Sequence, residues 1–274
     1  CGYMQNTIGY TYKLLCEDNT QQKETDIQKE NKWYHKLWKN IVRYCIKGEG
    51  ITTTKDTENS VEDWKRQAET YLKKSVENNP KGRYHQNLGA YYATIRDYDK
   101  ALEQYKLAFN AEKRDDKIYN LIGSVLLYRA EMKLGISERF QKGIVLSEIT
   151  LDKIDEEERL NIQNDIKQAY EWLNLAIKQV NPIINSYYNY SKACIYDSLF
   201  LGGGSQKMSE ADKYLNTVEI IWNMNHSEKP KGYLYTRRNY WEANKEYDKA
   251  LEINQVIMKV DNSGDAKTAE RVYD

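Results

Sequence analysis

Three groups of residues in this chain have side chains of the kinds chemistry uses. The stretch Gly202-Gly203-Gly204-Ser205-Gln206-Lys207 offers the glycines and the lysine of a phosphate cradle. A phosphate loop needs a strand before it, a GxxxxGK spacing and a helix after it. Here the spacing is wrong and the upstream pattern is helical, so the segment reads as a turn between helices. His35, His85 and His226 could ligate a metal, but they lie far apart and none has Cys, Asp or Glu at ligand spacing. Cys16, Cys45 and Cys194 form no CxxC pair. An oxidising compartment would permit a Cys16–Cys45 bridge; the plainer reading is three buried, small apolar residues. The acidic run from Asp155 to Glu158 suits a helix start, where negative charge meets the macrodipole. No serine elbow or Cys–His arrangement with local support is present. These residues predict no enzyme, no cofactor and no metal site, and they turn attention to binding.

The elements that must position a binding surface read as helices. The chain has 274 residues, with 41 Lys+Arg against 41 Asp+Glu. A net charge near zero argues against a nucleic-acid binder, which carries a basic face, and against a polybasic membrane-surface protein. Charged residues make up 30% and there are only 3 prolines, which favours long, solvated helices over a punctuated β protein. The 24 tyrosines fit amphipathic helices, because a tyrosine can bury its ring and keep its hydroxyl wet. No apolar run approaches the roughly 20 residues of a membrane span.

One phrase occurs twice. The six residues YDKALE stand at 98–103 and again at 247–252. Around the first copy, residues 83–110 carry Leu88, Gly89 and Tyr92 on one predicted helix and Ala101, Tyr105 and Ala108 on the next. Small residues let two helices approach, and aromatics fill the groove beside them. Asp97-Tyr98-Asp99 makes the turn and caps the second helix. This unit closely resembles the tetratricopeptide repeat, with His85 at the usual tryptophan position and Lys113 at the usual proline. Second-helix alanines recur at Ala68, Ala101, Ala169, Ala211 and Ala250, separated by 33, 68, 42 and 39 residues. The repeat period is about 34. Seven residues beyond them stand Ser75, Ala108, Ala176, Val218 and Ile257, and first-helix small residues fall at Gly89, Gly123 and Ala193. The resemblance covers about residues 30–260. It implies an all-α fold: a right-handed superhelical solenoid of about five to six helical hairpins.

Outside that unit the pattern is looser. Residues 1–31 read as a tether, since 17–32 are almost wholly polar, and 32–274 as the repeat domain. Trp33, Leu37, Ile41 and Tyr44 make a helix face stopped by Gly48 and Gly50; residues 51–60 read as a loop. Trp64, Ala68, Leu72 and Val76 make a second helix that ends at Asn79-Pro80. Residues 135–154 break the register, with Gly135 where an alanine is expected, and read as an irregular insertion with room for an extra helix. Residues 155–180 read as one strong helix with Leu160, Ile166, Ala169, Leu173, Ala176 and Val180 on one face. The last pair spans about 231–260, and 265–274 look like the start of a capping helix.

In tetratricopeptide proteins the first helices line a concave groove that receives peptides or helices. By register, that groove would hold Arg83, Gln86, Lys117, Asn120, Tyr128, Tyr187, Tyr190, Tyr235 and Asn239. Aromatic anchors mixed with amide and basic groups resemble protein-binding surfaces. Lys117 and Asn120 match the family's carboxylate clamp only in part. Cys1, followed by Gly2, resembles the acylated residue of a mature bacterial lipoprotein. Multiple acylation there would anchor the chain firmly. The two resemblances together imply a lipid-anchored scaffold of the bacterial cell envelope, at the outer membrane, that binds a protein or peptide and no nucleic acid. The alternative is a soluble cytosolic peptide-binding module of the co-chaperone type.

Overall fold

The computed structural model describes residues 55–112, 116–224 and 229–260, and among them the chain is all-α. The expectations for Cys1, Cys16, His35, Cys45, the helix from Trp33, His226 and the capping helix lie outside these residues. Nine α-helices are described: α1 (Lys55–Asn78), α2 (Gly82–Thr94), α3 (Tyr98–Ala111), α4 (Asp116–Lys133), α5 (Glu156–Ile177), α6 (Ile184–Phe200), α7 (Gly204–Met224), α8 (Lys231–Ala243) and α9 (Tyr247–Val260). They pair in order as α2–α3, α4–α5, α6–α7 and α8–α9, and each pair packs on the next. Among the first helices, α6 also touches both α4 and α8.

The two copies of YDKALE open α3 and α9. The turns before them match bond for bond. Asp97 N–H donates to the Tyr92 carbonyl at 2.9 Å and Arg96 N–H to Ala93 at 3.2 Å; Glu246 N–H donates to Trp241 at 2.9 Å and Lys245 N–H to Glu242 at 3.0 Å. This is a Schellman cap, which needs a left-handed residue at its corner. Arg96 (φ 64°) and Lys245 (φ 60°) occupy that corner without being glycine. A side chain there is strained by roughly 1 kcal/mol. Arg96→Gly is therefore expected to raise stability by about 0.5–1 kcal/mol, read as a higher urea midpoint at unchanged slope. The Asp97 side chain accepts from Lys100 N–H at 3.2 Å, as the capping reading requires.

The small residues sit where helices approach most closely. A Cβ on Gly89 would stand 2.7 Å from the Tyr105 ring, and one on Gly123 would stand 2.5 Å from Leu173 Cγ. Ala101, Ala169, Ala211 and Ala250 are all fully buried, as are their partners Ala108, Ala176, Val218 and Ile257. Gly123→Ala forces the branched carbon of a fully buried leucine to move. A net loss on the order of 2 kcal/mol is expected, since overpacking outweighs the helix-propensity gain. Leu173→Ala added to Gly123→Ala should show favourable coupling in a double-mutant cycle; strict additivity would rule the clash out.

Three expectations are corrected. Helix α1 begins at Lys55, so much of the 51–60 stretch is helical rather than a loop. Its opening residues carry no apolar period in the sequence. In α5 the buried face is Ile162, Asp165, Ile166, Ala169, Leu173 and Ala176. Leu160 is 57% exposed, and Val180, past the helix end, is 93% exposed. Six residues from Leu160 to Ile166 turn the helix by about 600°, so the two cannot share a face. The insertion holds no extra α-helix. It forms 3-10 turns over Ile136–Lys142 and Leu146–Glu148, the first bracketed by left-handed Gly135 and Gly143.

Candidate functional site

The insertion lies along the first-helix side. It leaves α4 at Gly135, its first turn packs on α4 and its second on α8. Arg139 is 5% exposed. Its Nη2 donates to Asn239 Oδ1 at 2.9 Å and to Glu242 Oε1 at 3.0 Å, and its Nη1 to the Ile136 carbonyl at 3.1 Å. The other Glu242 oxygen accepts the Leu146 backbone N–H at 2.8 Å. Arg238, one turn back on α8, sits 3.6 Å from Glu242 and donates to Asn254 of α9 at 2.8 Å. Phe140 packs beneath both guanidiniums, at 4.0 and 4.5 Å from its ring centroid. Leu146 is fully buried, and Ser147 reaches Tyr247 at 3.1 Å. Thus the face between the end of α4 and α8 is covered by the chain's own segment.

That covering revises the predicted groove. Asn239 is buried beneath Arg139, to which its Oδ1 is bonded, and so does not line an open groove. Asn120 is fully buried as well; its Oδ1 accepts from Asn189 of α6 at 3.0 Å. Tyr190 is 1% exposed, and its hydroxyl donates to Glu210 and bonds Tyr170 at 2.8 Å. These three hold helices together. Each meets another part of the chain before it meets solvent: Asn120 the neighbouring first helix, Tyr190 the second helices α5 and α7, and Asn239 the insertion. Lys117 is exposed. Arg83, Gln86, Tyr128, Tyr187 and Tyr235 are half-buried. Arg83 lies over the Tyr84 ring at 4.8 Å, Tyr187 stacks on Tyr214 at 5.9 Å, and Arg238 lies over Tyr235 at 5.0 Å.

The other chemistry-bearing residues have structural partners. His85 is buried, with Nδ1 2.9 Å from Gln104 Oε1. Cys194 is fully buried, and burial pushes its thiol well above the ordinary range. The glycine stretch turns α6 into α7, with Gly202 and Gly204 at positive φ. Asp155 caps α5 by accepting from Glu158 N–H at 2.9 Å. Among the described residues no group of three or more His, Cys, Asp or Glu could hold a metal. No described helix is long and apolar enough to cross a membrane.

One of the half-buried residues, Tyr128, borders open space. A pocket of about 220 Å³ lies between the α2–α3 turn, the last turn of α4 and the start of the insertion. Arg96, Tyr98, Tyr128, Glu131, Met132 and Glu138 border it, with Gly135 and Ser137. Glu131 is held by Lys192 of α6 at 3.0 Å and by the Tyr196 hydroxyl at 2.6 Å. Burial pushes the Lys192 ammonium down, but Glu131 and Tyr128 together outweigh it and hold the group above its ordinary value. Sequence reasoning found Tyr128 and missed the rest. The pocket exists only because the insertion folds back beside α4, and no periodic signal encodes that.

Comparison with known proteins adds no assignment: no protein-family description matches the chain, and none of the curated proteins matches it.

Proposed function

We propose that this chain is an interaction scaffold, a tetratricopeptide-like solenoid that holds a protein partner on its first-helix side. The observation that carries the reading is the paired recurrence of word and geometry. The same six residues open α3 and α9, after turns with the same hydrogen bonds and the same left-handed corner. Stacked units of this kind create extended surfaces and are used for binding. The partner's place is the part of that side the insertion leaves uncovered: Lys117, the half-buried Arg83 and Gln86, and the edge pocket beside Tyr128. Acylation of Cys1 and residence in a bacterial envelope rest on sequence resemblance alone. The mass of the native protein's amino-terminal peptide tests them, and an unmodified Cys1 would remove the anchor from the proposal.

Site-specific photo-crosslinking in the source cells tests the scaffold reading. A crosslinking residue at exposed Lys117 or Ser137 is expected to give one discrete heavier adduct. The same residue at Glu171, exposed on the second helix α5, is expected to give none. Adducts equally frequent at all three sites, or none anywhere, would overturn it.

A further inference from the structure

The pocket beside Tyr128 carries information about what it accepts. Its wall is a pair of rings, Tyr98 and Tyr128, with centroids 6.1 Å apart and planes at 30°. Neither phenol hydroxyl has a hydrogen-bond partner among the described residues. Met132 lines the same space and is 50% exposed, a large share for a thioether. The charges around it oppose one another. An incoming cation meets Arg96 at the rim and Lys192 behind Tyr128, 5.2 Å from that ring's centroid. An incoming anion meets Glu131 and Glu138. Glu138 also lies 3.4 Å from Lys142, which spends part of its charge outside the pocket. Either ion would be desolvated against a like charge, so neither sign is favoured.

A neutral, flat group meets no such opposition. A ring entering beside two tyrosines gains offset or edge-to-face contact. The Met132 sulfur favours a ring edge. A polar tip on that ring could bond the Tyr98 or Tyr128 hydroxyl. We propose that this pocket receives a single tyrosine or tryptophan side chain from a protein partner. The assignment rests on the scaffold reading for the partner, but the pocket itself can be tested without one.

The test uses the whole protein with 13C-labelled methionine methyl groups. The chain has 5 methionines, and Met132→Leu identifies the Met132 signal by its loss. The probes are p-cresol and 3-methylindole, compared with n-butylguanidinium and propionate. The aromatic probes are expected to move the Met132 methyl upfield and saturably. Tyr98→Ala should weaken that binding about three- to tenfold. Should Tyr98→Ala melt early, Ser137→Tyr carries the test, because it fills the pocket from an exposed position and should abolish the shift. A larger saturable shift with the guanidinium or the carboxylate would overturn the proposal in favour of an ion site. No saturable shift with any probe would also overturn it. A discrete crosslinked partner without probe binding removes the pocket assignment alone; probe binding without any partner removes the scaffold reading alone.

Discussion

Replacing Glu242 with alanine is expected to lower the unfolding free energy by about 3–5 kcal/mol, the largest loss of any single carboxylate on the first-helix side. Glu242 is fully buried. It accepts from Arg139 and from the Leu146 backbone, and it faces Arg238 at 3.6 Å. Deleting it leaves two enclosed guanidiniums without this carboxylate and an enclosed N–H without its acceptor. Glu242→Gln keeps an acceptor and loses the charge, so its loss should be smaller. A double change to Arg139→Met with Glu242→Leu should recover much of the stability, since apolar replacements of a buried pair are often neutral. Urea midpoints of the three variants measure this. A loss below about 1 kcal/mol for the alanine variant would mean that the insertion is not clamped to α8 as described.

The second large effect is alkaline. Tyr92, Tyr105, Tyr188, Tyr190, Tyr196 and Tyr233 are buried, and burial raises all six phenols above their ordinary value. A neighbouring carboxylate adds to the effect at Tyr92, Tyr190, Tyr196 and Tyr233. A group whose folded pKa is raised contributes its stability in full below the unfolded value. That contribution is lost as pH rises through the folded one. The window therefore opens near pH 10, where the unfolded chain begins to ionise and the folded core does not. Each phenol then removes about 1.4 kcal/mol per pH unit. Tyr105, Tyr188, Tyr190, Tyr196 and Tyr233 are raised far enough to stay neutral through the window, and these five together remove on the order of 7 kcal/mol per unit, comparable with the whole stability of a typical domain. Helicity and tyrosinate absorbance should change in one coincident step between about pH 10.5 and 12. Tyrosinate rising smoothly while helicity holds would show that the rings titrate in place.

The hairpins were legible because small residues mark close approach, and such residues recur at roughly the length of a helical hairpin. Gly89 against Tyr105 and Gly123 against Leu173 are such marks. The alanines from Ala101 to Ala250 are others. The inner face was not legible, because the period says which residues point inward and not what they meet there. Asn120, Tyr190 and Asn239 have the composition of a binding surface, and the same groups also suit a buried hydrogen-bonded network. Arg139 gave no signal at all. It lies in a stretch without helical period, and its partner Glu242 stands 103 positions later. The nearest hint was on α8 itself. Asn239 was placed inward by register, and Arg238 and Glu242 stand one turn apart beside it.

The span between Arg139 and Glu242 also bears on how the chain is made. A stack in which each hairpin touches only its neighbours can form in order as it is synthesised, and can fray from its ends one hairpin at a time. The insertion breaks that order. At ordinary elongation rates, Arg139 emerges about 5–20 s before Glu242. During that interval Ile136, Phe140, Val145 and Leu146 have no α8 to cover them. The hairpins from α4 to α7 thus wait on the last pair for their inner packing. Once it arrives, that pair is tied to the middle of the chain and cannot peel away alone. A stop before residue 242 leaves a nascent chain with its inner apolar segment uncovered, and such chains are the ones that chaperones and proteases select.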